Sequence, residues 1–156
     1  MSQPTTTQAE AMVAAKTALK KLLKDSTEPA LKGVQIAWNH PGAKIESSTV
    51  IIGNSRREDQ TPAALGNRQR DARWRIELVV DVLSRKDAED TAAAGVAIAA
   101  AVEREVQRNP ELGIPAAGIV FAQVSNMDLL ELVRDNRHEV EIPIDVSVFA
   151  RFSTRT

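Results

Sequence analysis

Apolar and polar residues alternate over two unusually long stretches of the chain. Trp74, Ile76, Leu78, Val80 and Val82 point one way while Arg75, Glu77 and Asp81 point the other. Near the C-terminus Val140, Ile142, Ile144, Val146, Val148, Ala150 and Phe152 repeat the rhythm. A period of two marks a strand with one buried face. Shorter alternations predict further strands at Val34, Ile36 and Trp38, at Thr49–Ile52, and at Ile119–Ser125, while Met127–Val133 fits either a strand or a helical turn.

Two segments follow the helical period instead. Between Thr7 and Lys24, Ala11, Met12, Ala15, Ala18, Leu19, Leu22 and Leu23 share one arc, with Lys16, Lys20, Lys21 and Lys24 on the opposite side. The second helix is expected to be capped by Ser84 or Asp87 and to stop near Arg108, before Pro110. Its stripe of Gly95, Ile98, Ala99, Val102 and Val106 should face the sheet, and its tail of Glu103, Arg104, Glu105 and Arg108 should be solvated. The alanines around the stripe keep this helix narrow enough to meet a second surface, either the first helix or a neighbouring subunit.

Between Asn54 and Arg73 the periodicity disappears. This stretch holds Arg56, Arg57, Arg68, Arg70 and Arg73 among Glu58, Asp59, Asp71, Pro62 and Gly66. Loops of that length in compact domains are usually functional or disordered. The segment reads as an extended polar arm at about 54–73, mobile until a partner covers it. The order of helix, strands, helix, strands suits an α+β two-layer sandwich: a mainly antiparallel, mixed sheet with two helices packed on one face. The 156 residues fit a single domain spanning 1–156.

Composition narrows the chemistry. Twenty Lys+Arg against 21 Asp+Glu leave a formal charge of -1, which does not provide the basic field of a charge-driven DNA binder. Without cysteine there are no disulfides or thiolate metal sites, and an aromatic content of 3% with no tyrosine supplies no stacking platform for single strands. The N-terminus has no apolar core of a signal peptide, and the alanine-rich run Thr91–Val102 is too short to span a bilayer, so a soluble protein and no membrane partner are expected.

No catalytic motif or cofactor-binding loop occurs, and His40 and His138 lack a second ligand at metal spacing. Catalytic, cofactor-binding and metal residues are therefore each expected to be none. Glu77, Asp81, Glu141 and Asp145 would gather on the polar faces of the two long strands if these are neighbours, either as a wet sheet face or as oxygen ligands for Mg²⁺ or Ca²⁺. Val79, Leu83 and Phe149 share that face, which suggests that another chain, a helix or the arm covers part of it. The arm arginines fit a solvated loop, a protein contact with mixed ion pairs, or a phosphate contact.

The layout resembles that of a known family. An N-terminal helix is followed by Val34-Gln35-Ile36-Ala37-Trp38 with Pro41-Gly42 after it, then Val50-Ile51-Ile52-Gly53 and a polar arm. Arg75-Ile76-Glu77 then opens a long strand, and an alanine-rich helix and a final strand ending Ala150-Arg151-Phe152 complete the order. In this order and pattern the chain resembles the tail-terminator proteins of long-tailed bacteriophages.

The resemblance implies a virion protein of two-layer α/β fold, made in the bacterial host cytoplasm and placed at the head-proximal end of the tail. It implies a homo-hexameric ring, with a monomer an alternative for the free protein. The ring would cap the tail tube, end its polymerisation and offer the surface for head attachment. Its partners would be the tube protein and a head-completion protein, with DNA only passing through the lumen. The arm arginines and the open-face set Glu77, Val79, Asp81, Leu83, Glu141, Asp145 and Phe149 become interface or lumen candidates. A head-completion or connector role and a carboxylate-based metal-dependent enzyme stand as alternatives.

Overall fold

The computed structural model describes residues 7–39, 47–64, 69–114 and 118–153, and the side chains of all of these except 59–64, 69–70 and 153. His40, Pro41, Gly42, Gly66 and Arg68 lie outside the described residues, as do the side chains of Asp59, Pro62 and Arg70. Helix α1 spans Gln8–Lys24 and α2 spans Ala88–Arg108. The strands are β1 (Gln35–Trp38), β2 (Ser48–Ala64), β3 (Gln69–Ser84), β4 (Ile119–Met127), β5 (Leu130–Arg134) and β6 (Arg137–Ser153). They form one mixed sheet in the order β1-β2-β3-β6-β4, with β5 also on β6. Among the described residues only the β1–β2 pair is parallel.

The long alternating segments are the two central strands. Every residue of β3, from Gln69↔Ser153 to Ser84↔His138, has a partner on β6 without a register break. The period-two apolar residues of both strands are buried, Trp74, Ile76, Val80, Val146 and Val148 completely so. They meet α2 through the predicted stripe, in which Ile98, Ala99, Val102 and Val106 are buried. Gly95 is needed there because a Cβ at that position would lie 2.5 Å from Val140 Cγ1. Both helices sit on this one face, giving the α+β two-layer arrangement expected from the sequence.

The arm differs from its expected form. Residues 54–64 continue β2, and residues 69–73 begin β3, so the polar insert is the distal part of an antiparallel hairpin. Register shifts between Ile52 and Ser55, Arg57 and Gln60, and Pro62 and Ala64 erase the simple alternation that would have revealed the strand. The β3 half of the arm also has β6 on its other side, with Arg73 opposite Phe149. Backbone hydrogen bonds thus run through this segment, and among its described side chains only Ala72 is buried in the core.

Two helix faces also differ from expectation. Lys16, expected on the wet side of α1, is buried. Its Nζ donates to Asn39 Oδ1 at 2.9 Å and lies 4.1 Å from the Trp38 ring centroid. Burial lowers its pKa from the ordinary lysine value. At the tail of α2, Glu105 is buried and accepts from Ser26 Oγ at 3.0 Å and from Arg108 at 3.2 Å. Arg104 meets Glu28 with two hydrogen bonds of 3.0 and 3.1 Å, and Arg108 approaches the same carboxylate at 2.9 Å. The bond from Arg104 holds the Glu28 carboxyl below its ordinary value. The charged tail expected to be solvated therefore ties α2 to the loop after α1.

The β5–β6 turn has Asp135 at φ 50 and Asn136 at φ 61. Two consecutive left-handed residues make the two-residue turn that matches strand twist, and Asp and Asn tolerate it. This turn settles the ambiguous Met127–Val133 segment: Leu130–Arg134 forms a strand, all five of its residues exposed.

Two substitutions test this packing. Ile144→Asp should unfold the domain, because Ile144 is 1% exposed and the period of two gives its side chain no path to solvent. A folded variant by circular dichroism would place the strand inside out. Gly95→Ala, which would add up to about 1 kcal/mol of stability in an open helix, should instead lower stability in urea titration by about 1 kcal/mol or more through overpacking. Val140→Ala in the same chain should recover part of that loss.

Candidate interaction surface

The face of the sheet away from the helices presents the odd-numbered residues of β3 and β6. Pairing of the two strands sets Glu77 opposite Asp145, Val79 opposite Pro143, Asp81 opposite Glu141, Leu83 opposite Glu139, and Phe149 opposite Arg73. All seven open-face residues expected from the sequence are thus on one surface, and each is half-buried. Asp71, Glu77, Asp81, Glu139, Glu141 and Asp145 outnumber Arg73, Arg75, Arg137 and Arg151 along these two strands, making the face acidic on balance.

Cross-strand ion pairs organise its arm end. Arg151 grips Asp71 through Nε at 2.8 Å and Nη2 at 3.3 Å, lowering the Asp71 pKa through that hydrogen bond. Arg56 of β2 reaches Glu77 at 2.7 Å, and Arg75 lies 3.6 Å from the same oxygen. Between these pairs Phe149 stacks on Phe121 of β4 at a centroid distance of 4.2 Å, with the Arg73 guanidinium 4.4 Å from the Phe149 centroid. A cavity of about 350 Å³ opens here, lined by Asp71, Arg73, Val120, Phe121, Phe149 and Arg151. No motif in the sequence marks Phe121, and nothing there joins Asp71 of the arm to Arg151 of the terminal strand. Phe121 follows Val120, so β4 shows no clean alternation, and a register shift between Ile119 and Phe121 explains why.

At the opposite end the four predicted carboxylates separate. Glu77 and Asp145 lie four residues, about 13 Å, from Asp81 and Glu141. Asp81 and Glu141 instead gather with Glu139, whose ligand oxygens all lie within 4.8 Å of one another. Such a trio offers hard oxygen ligands to a cation. In this structure Arg134 of β5 supplies the positive charge, its Nε 3.2 Å from Glu139 Oε2. Glu139 is only 3% exposed. Burial, followed by repulsion from Asp81, raises its pKa, and attraction to Arg134 offsets only part of that rise. Glu139 lies at the end of the alternation, and a single charged residue there gave no sign of being buried.

The predicted arm residues divide as well. Arg56 is ion-paired and Arg73 covers Phe149, while Arg57 is exposed on β2. Among the described residues no helix is long and apolar enough to cross a membrane.

No protein-family model matches the chain, and no curated protein matches it. Among solved structures, a chain from the virion of a native gene transfer agent (GTA) particle superposes with a TM-score of 0.60 at 15% identity. The alignment covers 90% of this chain and 98% of that one. The two chains share one fold. Near-complete coverage of both means that the likeness embraces the whole helix-on-sheet arrangement rather than one shared hairpin.

Glu139 gives this surface a pH signature. A raised carboxyl pKa costs stability above the folded-state value, and the cost fades as pH falls through that value toward the ordinary 4.5. Glu139→Gln should therefore raise the melting temperature near neutral pH, with the gain shrinking toward pH 4.5. A variant less stable than the parent at neutral pH would show that the Arg134 pair outweighs burial.

Proposed function

We propose that the chain is a structural protein of a phage-like virion, and that within this class it acts as the tail terminator. The observation that carries the first part is the fold shared with the gene-transfer-agent virion chain over 90% of this chain and 98% of that one. The arm and the half-buried open face support the second part. A chain that works by docking needs surfaces its own core does not use, and apart from Ala72 the described side chains of these two lie outside the helix-on-sheet core.

In this reading six copies close into a ring on the end of the tail tube. Each subunit uses two different patches for its two neighbours, as a cyclic assembly requires. One side of the ring matches the tube end and the other side does not accept a further tube subunit, so growth stops. That second side serves head attachment, through a head-completion protein. DNA passes through the lumen, and an acidic wall lets it slide without being held. The open sheet face, with Glu77, Asp81, Glu141 and Asp145, has the charge for such a wall.

Arg56, Arg57, Arg68, Arg70 and Arg73 are assigned to subunit or tube contacts. Arg56 and Arg73 are already steadied by Glu77 and Phe149, which lowers the entropy lost on docking. The arrangement of Asp81, Glu139 and Glu141 favours one second reading, a carboxylate-based metal-dependent enzyme. Titration calorimetry with Mg²⁺ or Mn²⁺ separates the two, since only the enzyme reading expects tight binding that Asp81→Ala abolishes.

The decisive experiment is electron microscopy of phage lacking the protein. Tails should be abnormal in length and remain unjoined to heads, and adding the purified protein to growing tubes should restore the normal length. Normal tails joined to heads in its absence would end the terminator reading. A protein that binds heads but leaves tube ends untouched would be a connector instead.

A further inference from the structure

Five of the ten exposed large hydrophobic side chains among the described residues fall between Met127 and Val133: Met127, Leu129, Leu130, Leu132 and Val133. They lie on or beside β5, which pairs with β6 from Leu130↔Glu141 to Arg134↔Arg137 and has no strand on its outer side among the described residues. Natural edges are usually blunted by proline, lysine, bulges or shortness to prevent unplanned pairing. The chain applies such devices to β2 beyond the reach of β1, with three register shifts and Pro62. β5 has no proline, lysine or register shift. It is short, which keeps any pairing weak, but its edge is left able to take a strand.

The turn decides which backbone groups that edge offers. Asp135 and Asn136 form a two-residue turn, so the flanking pair Arg134↔Arg137 exchanges hydrogen bonds, and the amides of Leu130, Leu132 and Arg134 turn toward β6. Those of Glu131 and Val133 therefore point outward. Two copies related by a two-fold axis through the sheet must set outward residues opposite outward ones. Of the five registers centred on a residue of β5, those centred on Glu131 and Arg134 set a charge against itself, and the one centred on Val133 sets Glu131 against Asp135. Centring on Leu130 carries the strand past its own end onto Met127 and Leu129. Centring on Leu132 opposes β5 with β5 over its whole length, and no like charges meet.

We infer that two copies of the chain join through β5, antiparallel and centred on Leu132, into a two-fold dimer with one continuous sheet. Glu131 of each copy meets Val133 of the other, and these two hydrogen-bonded pairs give four backbone bonds, two in each. Leu132 meets its own counterpart on the axis in a non-hydrogen-bonded pair, where Cα atoms approach to about 4.5 Å. Leu130 lies opposite Arg134, whose guanidinium stays on Glu139 of its own copy while its stem covers the leucine. So small a contact is concentration-dependent. It is isologous and closes at two, so it is separate from the two neighbour contacts of a six-membered ring and does not rest on the tail-terminator reading. The dimer is the form of the free chain, with its apolar edge covered.

Sedimentation velocity of the full chain from low micromolar to millimolar concentration should show monomer passing to dimer and nothing larger. Leu132→Lys places two like charges on the axis at a position already exposed. It should weaken association by about tenfold or more while leaving the melting curve unchanged. Because the chain has no cysteine, an introduced thiol reports the register without background. Under mild oxidant Leu132→Cys should link to itself at least tenfold faster than Leu130→Cys or Glu131→Cys, whose own counterparts lie farther off. A parent that stays monomeric throughout overturns the inference and leaves the edge to a strand of another protein. A parent that grows beyond a dimer, a Leu132→Lys variant that associates as the parent does, or Leu130→Cys linking as fast as Leu132→Cys overturns it as well. The terminator reading is decided separately on tails, so either can fail while the other stands.

Discussion

The backbone ladder between β3 and β6 governs the rest of this molecule. Because every residue of β3 faces a β6 partner without interruption, the two strands alternate in phase from the arm to the β5 turn. Phase coherence over that length produces two very different faces. One face collects Trp74, Ile76, Leu78, Val80, Ile142, Ile144, Val146 and Val148 into a dry platform for both helices. The other sets charged residues opposite one another, Asp71 against Arg151 but also Glu77 against Asp145 and Asp81 against Glu141, so that arginines such as Arg56 are drawn in to balance the acids. A slip of one residue would exchange the faces, placing Glu77 under α2 and Ile76 in water. The hydrophobic term forbids that slip at a cost of about 1.5–3 kcal/mol for each large side chain turned outward.

The same ladder explains why the arm is ordered. A segment rich in arginine and poor in large apolar groups cannot fold by burial. It is held instead because β3 is bonded on both sides, to β2 and to β6, and the ion pair between Asp71 and Arg151 closes the β6 side. The arm presents charge on a backbone already fixed, so less entropy is lost when a partner binds.

Much of this fold was legible in the sequence because periodicity reports burial directly. The two long strands, both helices and the buried stripe of α2 follow from that signal alone, and Asp87 caps α2 by accepting from the Asp90 N–H at 2.8 Å, as its side chain suggested. What could not be read comes from residues that break the period. The bulges in β2 shift the alternation and made a strand look like a loop. Lys16, Glu105 and Glu139 are charged residues placed inside by a single specific partner or cluster, which no one-dimensional pattern encodes. Asp135-Asn136 did carry a usable signal, the two-residue turn that makes Leu130–Arg134 a strand, and it was outweighed by the leucine-rich run before it. The open face was legible as a set of residues. Its division into an arm-end ion-pair and aromatic group and a separate carboxylate trio required the register.

The central claim is that the long ladder continues through the polar arm in the isolated chain. Amide hydrogen exchange on the monomer tests it most directly, read at Asp71, Ala72 and Arg73 and compared with Val80 in the core of the same strand. Protection at those arm amides well above that of an unstructured peptide, though below that of Val80, is the predicted result. Exchange at the unprotected rate from Asp71 to Arg73, with Val80 still protected, would contradict the account.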